Sequence, residues 1–238
     1  MKLLEYEAKN TFREFGIPVP HGSVIRSAEE LSGIKDLGDN LAFKAQLEVG
    51  GRGKAGGILF GTRGDAGKIA EELFSRTIRG LPVERILVED RLVIDQEYYL
   101  SVMADRSSRE ILILFALAGG VDIETLAKER PEEVRRIHIP YLLSEIPPFA
   151  LRELLKGAPR EIGPVVQKLY RVFREKDALL AEINPLAATP KGMMAADAKL
   201  IIDDNALTRQ GISQNRDLTP REREAERHGF SYVELEGS

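Results

Sequence analysis

Five of the eight residues from Gly50 to Gly57, in the order GGRGKAGG, are glycine. Such a run cannot sit stably inside a helix or strand, where each glycine costs about 0.5–1 kcal/mol relative to alanine. What it permits is close approach of backbone N–H groups to a bulky anion, because no Cβ stands in the way. Arg52 and Lys54 add two cations to the same loop, which favours a polyanion such as a triphosphate. The run departs from the Walker pattern, since Ala55 follows Lys54, and from G-x-G-x-x-G as well. A P-loop and a Rossmann site are both disfavoured, and taken alone the loop marks an anion site or a flexible turn. Ahead of it, Lys44 stands within Asn40 to Leu47, which reads as a strand. A lysine there either faces solvent or needs a partner, because an unpaired buried ammonium is strongly disfavoured. A phosphate oxygen is one such partner.

Composition removes several other chemistries. The chain has no cysteine, which excludes disulfides, thiolate nucleophiles and cysteine-ligated zinc. Its histidines, His21, His138 and His228, lie far apart and in no metal-ligand spacing. A formal charge of −4 predicts no general attraction to nucleic acid or to an anionic membrane. The N-terminus, MKLLEYEAKN, is charged too early for a signal peptide, and no apolar run approaches the ~18 residues of a membrane span. A cytoplasmic globular protein is expected, long enough at 238 residues for one large core or two small ones.

Along the chain, Leu4, Ala8, Phe12 and Phe15 form one helical stripe, closed by Gly16. Ile17 to Val24 runs extended, and Ser27 to Glu30 has capping-box spacing for a short helix. Strands are expected at 40–47, 57–61 and 85–93, and Asp65 can cap a helix carrying Ile69, Leu73 and Phe74. Gln96 to Ala104 and Glu110 to Leu117 read as an antiparallel hairpin around Asp105 to Ser108. Helices are expected at 123–128, 149–156 and 163–176, then a second hairpin over 179–202 turning at Thr189 to Gly192. The charged stretch TPREREAERHG reads as a surface helix, and Tyr232 to Leu235 as the start of a strand. Helices and antiparallel hairpins in alternating blocks argue for an α+β fold of two or three lobes rather than a doubly wound parallel sheet.

Two acidic constellations accompany the glycine loop. The apolar strand Ile86-Leu87-Val88 ends on Glu89 and Asp90, with Glu97 close behind. Carboxylates can accept from an adenine amino group or from ribose hydroxyls, although a strand running into a solvated acidic loop would look the same. The second constellation is AEINPL with MAADAK. If Pro190 and Lys191 are the turn residues, Asn184 faces Asp197 and Glu182 faces Lys199. An amide oxygen opposite a carboxylate suits Mg²⁺, which takes its remaining ligands from phosphates and water. A bulge at Gly192 would break that juxtaposition, and polar residues on a wet hairpin face are the plain alternative.

In order, EYEAKNTFREFGIPVP, FKAQ, GGRGKAGG, ILVED, EYYLSVMADRSSR, AEINPLA, DAKL and DDNALTRQ resemble the β-subunit family of succinyl-CoA synthetases, from Leu4 to about Leu235. The resemblance implies an ATP-grasp fold, in which two α+β lobes of antiparallel hairpins and packed helices enclose a nucleotide cleft. Residues of about 20–98 would form the nucleotide-lid lobe; 1–19 and 99–238 would form the second lobe with the metal-binding hairpin. The implied reaction joins a carboxylic acid to CoA at the expense of ATP or GTP. It runs through a phosphohistidine on a partner α subunit that also carries the CoA site. By motif, Lys44, Gly51, Arg52 and Gly53 would contact the phosphates, Glu89 through Leu92 the base, and Glu97 the ribose. Asn184 and Asp197 would hold Mg²⁺, and Glu182 would orient the incoming phosphohistidine. None of the three histidines lies in a glycine-framed loop, so the phosphate acceptor is expected on another chain.

Two departures stand out. Ala118 precedes Gly119-Gly120 where the family usually shows glutamate, which leaves the role of that loop open. The family chain also continues past the equivalent of Gly237 into a flavodoxin-like CoA-ligase domain, expected to be absent here through a cut at the domain boundary or a split protein. Rival readings are a stand-alone ATP-grasp carboxylate–amine ligase, a non-catalytic nucleotide-binding subunit, and a malate- or citrate-type CoA ligase subunit.

Overall fold

The computed structural model describes residues 1–47, 55–212, 220–228 and 230. Contacts divide the chain into two units, Met1–Asp204 and Asn205–Ser238.

The first unit opens with helix α1 (Glu5–Glu14). Glu7 Oε2 accepts the Leu4 N–H at 2.8 Å, satisfying one orphan donor at the helix start. At the other end Gly16 takes φ 76°, and the Gly16 and Ile17 N–H groups donate to Arg13 and Phe12 C=O, both at 2.9 Å. This is the left-handed glycine stop expected from the sequence. The buried face is not the expected one. It consists of Glu5, Ala8, Lys9 and Phe12, while Leu4 and Phe15 are half-buried.

There follow β1 (Gly22–Ile25), β2 (Asn40–Ala45), β3 (Ile58–Thr62), α2 (Ala66–Phe74), the two-residue strands β4 (Thr77–Ile78) and β5 (Leu81–Pro82), and β6 (Ile86–Asp90). The expected capping box forms only a 3₁₀ turn, Ala28–Gly33. There Glu30 accepts from the Arg26 N–H at 2.9 Å, and the Ser27 side chain caps nothing. Asp65 precedes α2 as anticipated, but its carboxylate accepts from Thr62 Oγ1 at 2.8 Å rather than from the helix.

Four strands form an antiparallel sheet in the order β1-β6-β2-β3. The side chains of Ile25, Leu41, Phe43, Ile86 and Val88 bury against Ala70 and Leu73 of α2. Each fully buried Phe, Leu or Ile there contributes about 1.5–3 kcal/mol, which fixes α2 to one face of this sheet.

The remainder of the unit comprises β7 (Gln96–Asp105), β8 (Glu110–Ala116), α3 (Ile123–Glu129), β9 (Val134–Pro140), α4 (Pro148–Leu154), α5 (Ile162–Glu175), β10 (Ala178–Thr189), β11 (Gly192–Ala195) and β12 (Lys199–Ile202). They form a second antiparallel sheet, ordered β11-β10-β7-β8-β9, in which β12 also pairs with β10. Val166, Leu169, Tyr170 and Phe173 of α5 are buried, with α5 packed on β10 and β7. The shorter α3 packs Leu126 against Tyr99, Ala116 and Val134. At the β7–β8 turn, Ser107 and Ser108 donate to the Asp105 carboxylate and hold it well below the usual carboxylate range.

Strand β9 is absent from the expectations above. Arg135, Arg136 and Pro140 interrupt its apolar pattern, but it pairs only with β8, and a sheet edge tolerates charges and proline. The antiparallel ladders and packed helices bear out the α+β expectation. Among the described residues no helix is long and apolar enough to cross a membrane. In the second unit the charged segment forms helix α6 (Pro220–Arg227).

Candidate functional site

Lys44 lies near the end of β2 with its side chain 11% exposed, and its partners are charged. Its Nζ meets Glu89 Oε2 of β6 at 2.8 Å, Glu5 Oε1 of α1 at 3.0 Å and the Ala196 C=O at 2.7 Å. Lys9, one turn beyond Glu5, reaches the same three acceptors: Glu89 Oε1 at 2.6 Å, Glu5 Oε1 at 2.8 Å and Ala196 C=O at 2.8 Å. Two ammonium groups and two carboxylates thus form a buried cluster whose formal charges cancel. Pairing of this kind offsets the several kcal/mol each ion loses on leaving water. Burial by itself would lower the Lys44 pKa, but Glu5, Glu89 and Asp197 outweigh it and raise it above the ordinary lysine value.

Ala196 belongs to the β10–β11–β12 ribbon. Thr189 pairs with Gly192 across Pro190-Lys191, so the turn is the expected one and Gly192 introduces no bulge. The register runs through Leu186 opposite Ala195 to Glu182 opposite Lys199. Between those pairs the ladder opens, keeping one bond from the Ala196 N–H to Pro185 C=O at 3.1 Å. Proline cannot donate to a ladder, and the pairing of β10 with β7 shifts between Ile183 and Leu186. Asn184 and Asp197 both lie within this opening.

Asn184 is held by a third element. Its Oδ1 accepts from the Gly120 N–H at 2.7 Å and its Nδ2 donates to Val121 C=O at 2.9 Å. The same loop lies on β7. A Cβ at Gly119 would sit 2.5 Å from Tyr98 O, and one at Gly120 would sit 2.5 Å from Glu97 Oε2. Asn184, Glu97 and the Ala118-Gly119-Gly120 loop are therefore neighbours, which gives that loop a structural place. Gly119→Ala is expected to cost about 1–3 kcal/mol in chemical denaturation, because strand backbone cannot yield to the added carbon. An unchanged midpoint would show that the loop is not seated there.

Glu182 lies two residues before Asn184 and accepts from the Tyr99 hydroxyl at 3.0 Å. Burial, then the Glu182 charge, pushes the Tyr99 phenol above its ordinary range and keeps it a donor. Leu92 follows β6 and is half-buried. Gly51, Arg52 and Gly53 lie outside the described residues. The segment containing them joins adjacent strands, with the Ala45 N–H bonded to Gly57 C=O at 2.8 Å just beyond it.

Lys44, Glu89 and the Ala196–Asp197 peptide come together in one place. Glu5 and Lys9 were missed as members of it. With Ala8 and Phe12 they occupy i, i+3, i+4 and i+7 of α1, so the signal was a pair of opposite charges on the apolar face.

The ATP-grasp domain family matches residues 2–188 of this chain. Against the succinate–CoA ligase [ADP-forming] β subunit of Methanocaldococcus jannaschii the whole chain aligns at 43% identity, spanning 66% of that protein. A [GDP-forming] β subunit from Thermus thermophilus aligns at 40% with 66% spanned, and an [ADP-forming] one from Bacteroides thetaiotaomicron at 39% with 67%. The chain belongs to the ATP-grasp family, among the β subunits of succinate–CoA ligases. It spans about two thirds of the length of those curated relatives.

Solved structures share the fold. An ATP citrate lyase from Methanothrix soehngenii superimposes with TM-score 0.70 at 20% identity, over 95% of this chain and 59% of that one. A dinucleotide-forming acetyl-coenzyme A synthetase from Ca. Korarchaeum cryptofilum gives TM-score 0.68 at 20% identity, over 85% of this chain and 93% of that one.

The donor set of this ATP-grasp chain fits Mg²⁺. Asn184 Oδ1 keeps a second lone pair beside its Gly120 bond, and Asp197 adds a carboxylate that accepts from the Ala198 N–H at 2.7 Å. Among the described residues no group of three His, Asp or Glu could hold a metal. The protein's share of the coordination would therefore be two hard oxygens, with nucleotide and water supplying the rest.

Proposed function

We propose that this chain is the nucleotide-binding part of an acid–CoA ligase β subunit, acting in the cytoplasm with a partner α subunit. That partner carries the phosphohistidine and the CoA site. The overall reaction is nucleoside triphosphate plus carboxylic acid plus CoA giving acyl-CoA, nucleoside diphosphate and phosphate, with succinate as the acid. The single observation that carries this reading is the 2.7 Å bond from Lys44 Nζ to Ala196 C=O. It joins the lysine of one sheet to the residue preceding Asp197 on the oxygen-bearing ribbon of the other. A triphosphate between a cationic loop and that ribbon would meet both.

In this reading Lys44, Gly51, Arg52 and Gly53 bind the phosphates, the segment from Glu89 to Leu92 borders the base, and Glu97 takes the ribose hydroxyls. Asn184 and Asp197 would hold Mg²⁺, which when bound supplies charge neutralisation and orientation of the phosphates. Glu182, held by Tyr99, accepts an N–H of the incoming phosphohistidine imidazole and fixes its orientation. Catalysis is then positioning and electrostatic stabilisation, with no covalent step on this chain's own side chains. ADP-forming and GDP-forming relatives stand at similar identity, so the base is adenine or guanine.

The reading is tested by incubating the chain with γ-labelled ATP or GTP and Mg²⁺, with and without a candidate α subunit. Label is expected on a histidine of the partner and only when both chains are present. Stable label on His21, His138 or His228 would overturn the assignment, as would acyl-CoA formation by this chain alone.

A further inference from the structure

Helix α1 carries two charges that the nucleotide reading does not use, and both lie inside its site. Lys9 is 3% exposed and Glu5 1%, at the i, i+4 spacing of a helix pair. An exposed pair of that kind would be worth a few tenths of a kcal/mol. Here Lys9 Nζ is instead wrapped by Glu5, both oxygens of Glu89 and the Ala196 carbonyl, at 2.6–2.8 Å.

We propose that Glu5 and Lys9 are positioning residues for nucleotide binding: Lys9 permanently neutralises Glu89 and holds the Ala196–Asp197 peptide, which releases the Lys44 ammonium to a phosphate. The inference rests on the nucleotide reading above and deepens it.

The argument is one of competing acceptors. Lys44 and Lys9 share Glu5, Glu89 and the Ala196 carbonyl. A phosphate oxygen attracts Lys44 only against the pull of those carboxylates. With Lys9 in place two cations stand against Glu5 and Glu89, with Asp197 also acting on Lys44, so the negative charge that a phosphate meets is largely offset. Without Lys9 the local charge becomes more negative by one unit, and Glu5 and Glu89 hold Lys44 against an anionic ligand. Lys9 also donates to the carbonyl directly before Asp197, so the peptide that aims this metal-ligand candidate stays held when Lys44 turns to a phosphate. Glu5 completes the device by bridging both lysines through one oxygen.

This gives a split that a merely structural residue would not. Isothermal titration of the full chain, in the presence of Mg²⁺, compares ATP or GTP with the matching nucleoside, which has no phosphate. For Lys9→Met the expected loss is about tenfold in triphosphate affinity, the scale of one charge-assisted hydrogen bond, with nucleoside affinity unchanged within about twofold. Lys9→Arg keeps the charge and restores most of the loss. Glu5→Gln, nearly isosteric, carries the test if Lys9→Met does not fold: it removes a carboxylate that competes for Lys44, so triphosphate affinity is expected to rise about threefold with nucleoside affinity unchanged. Equal changes for nucleoside and triphosphate, or no change in either variant, overturn the positioning role. Failure of the unaltered chain to bind any nucleotide overturns the nucleotide reading and the positioning role with it.

Discussion

Lys44→Met is expected to lower folding stability by about 3–5 kcal/mol and to abolish the rise in thermal midpoint that Mg·ATP or Mg·GTP produces. The two effects have separate causes. The fold loses because Glu5 and Glu89, 1% and 2% exposed, each lose a buried ammonium partner while remaining out of water. Nucleotide binding loses because the cation assigned to the phosphates is gone. The pH dependence separates this lysine from the carboxylates around it. Its folded pKa lies above its unfolded one, so its contribution is complete below the unfolded value near 10.4 and fades as pH rises through the folded value. The stability gap between the unaltered chain and the variant should therefore be flat from neutral pH to about pH 10 and shrink beyond it. Differential scanning with and without nucleotide measures both effects. A variant that retains the nucleotide-induced shift would remove Lys44 from the site.

Asp197→Ala is expected to do the converse, abolishing the nucleotide effect while leaving the fold nearly intact. Asp197 is half-buried and sits where the ladder between β10 and its neighbours is already open, so little packing is lost. Ligand present at about a hundred times its dissociation constant stabilises a protein by about 2.7 kcal/mol, a shift that scanning resolves easily. In the variant that shift should vanish with Mg²⁺ present, and the unaltered chain should behave alike when EDTA replaces the metal. Persistence of a full Mg²⁺-dependent shift in Asp197→Ala would show that the ribbon is not the metal-binding element.

Much of the second sheet was legible because its information is local. The two-residue turn at Pro190-Lys191 sets the strand register by geometry, and that register carries through to Glu182 opposite Lys199. Gly16 stops α1 for an equally local reason, since a left-handed backbone suits glycine. Strand β9 escaped notice because edge position, which excuses its arginines and its proline, is a property of the assembled sheet. The capping box at Ser27 failed for a similar reason: Glu30 found the Arg26 N–H and no α-helix grew behind it.

The order of residues alone determined which chemistry the chain can carry: hard oxygens, cations and a glycine loop, with no thiol, and a strand lysine that needs a partner wherever it is buried. It also determined the alignment of the ribbon, because turn length and strand alternation are short-range rules. Only the tertiary structure decided who the partner of Lys44 is. Glu5, Glu89 and Ala196 are distant from Lys44 in sequence yet lie within 3.0 Å of its Nζ, and Asn184 is likewise held by Gly120 and Val121 from a separate loop. Pairings between elements depend on how helix and sheet pack, and a buried charge selects its counter-ion only after that packing has removed the water.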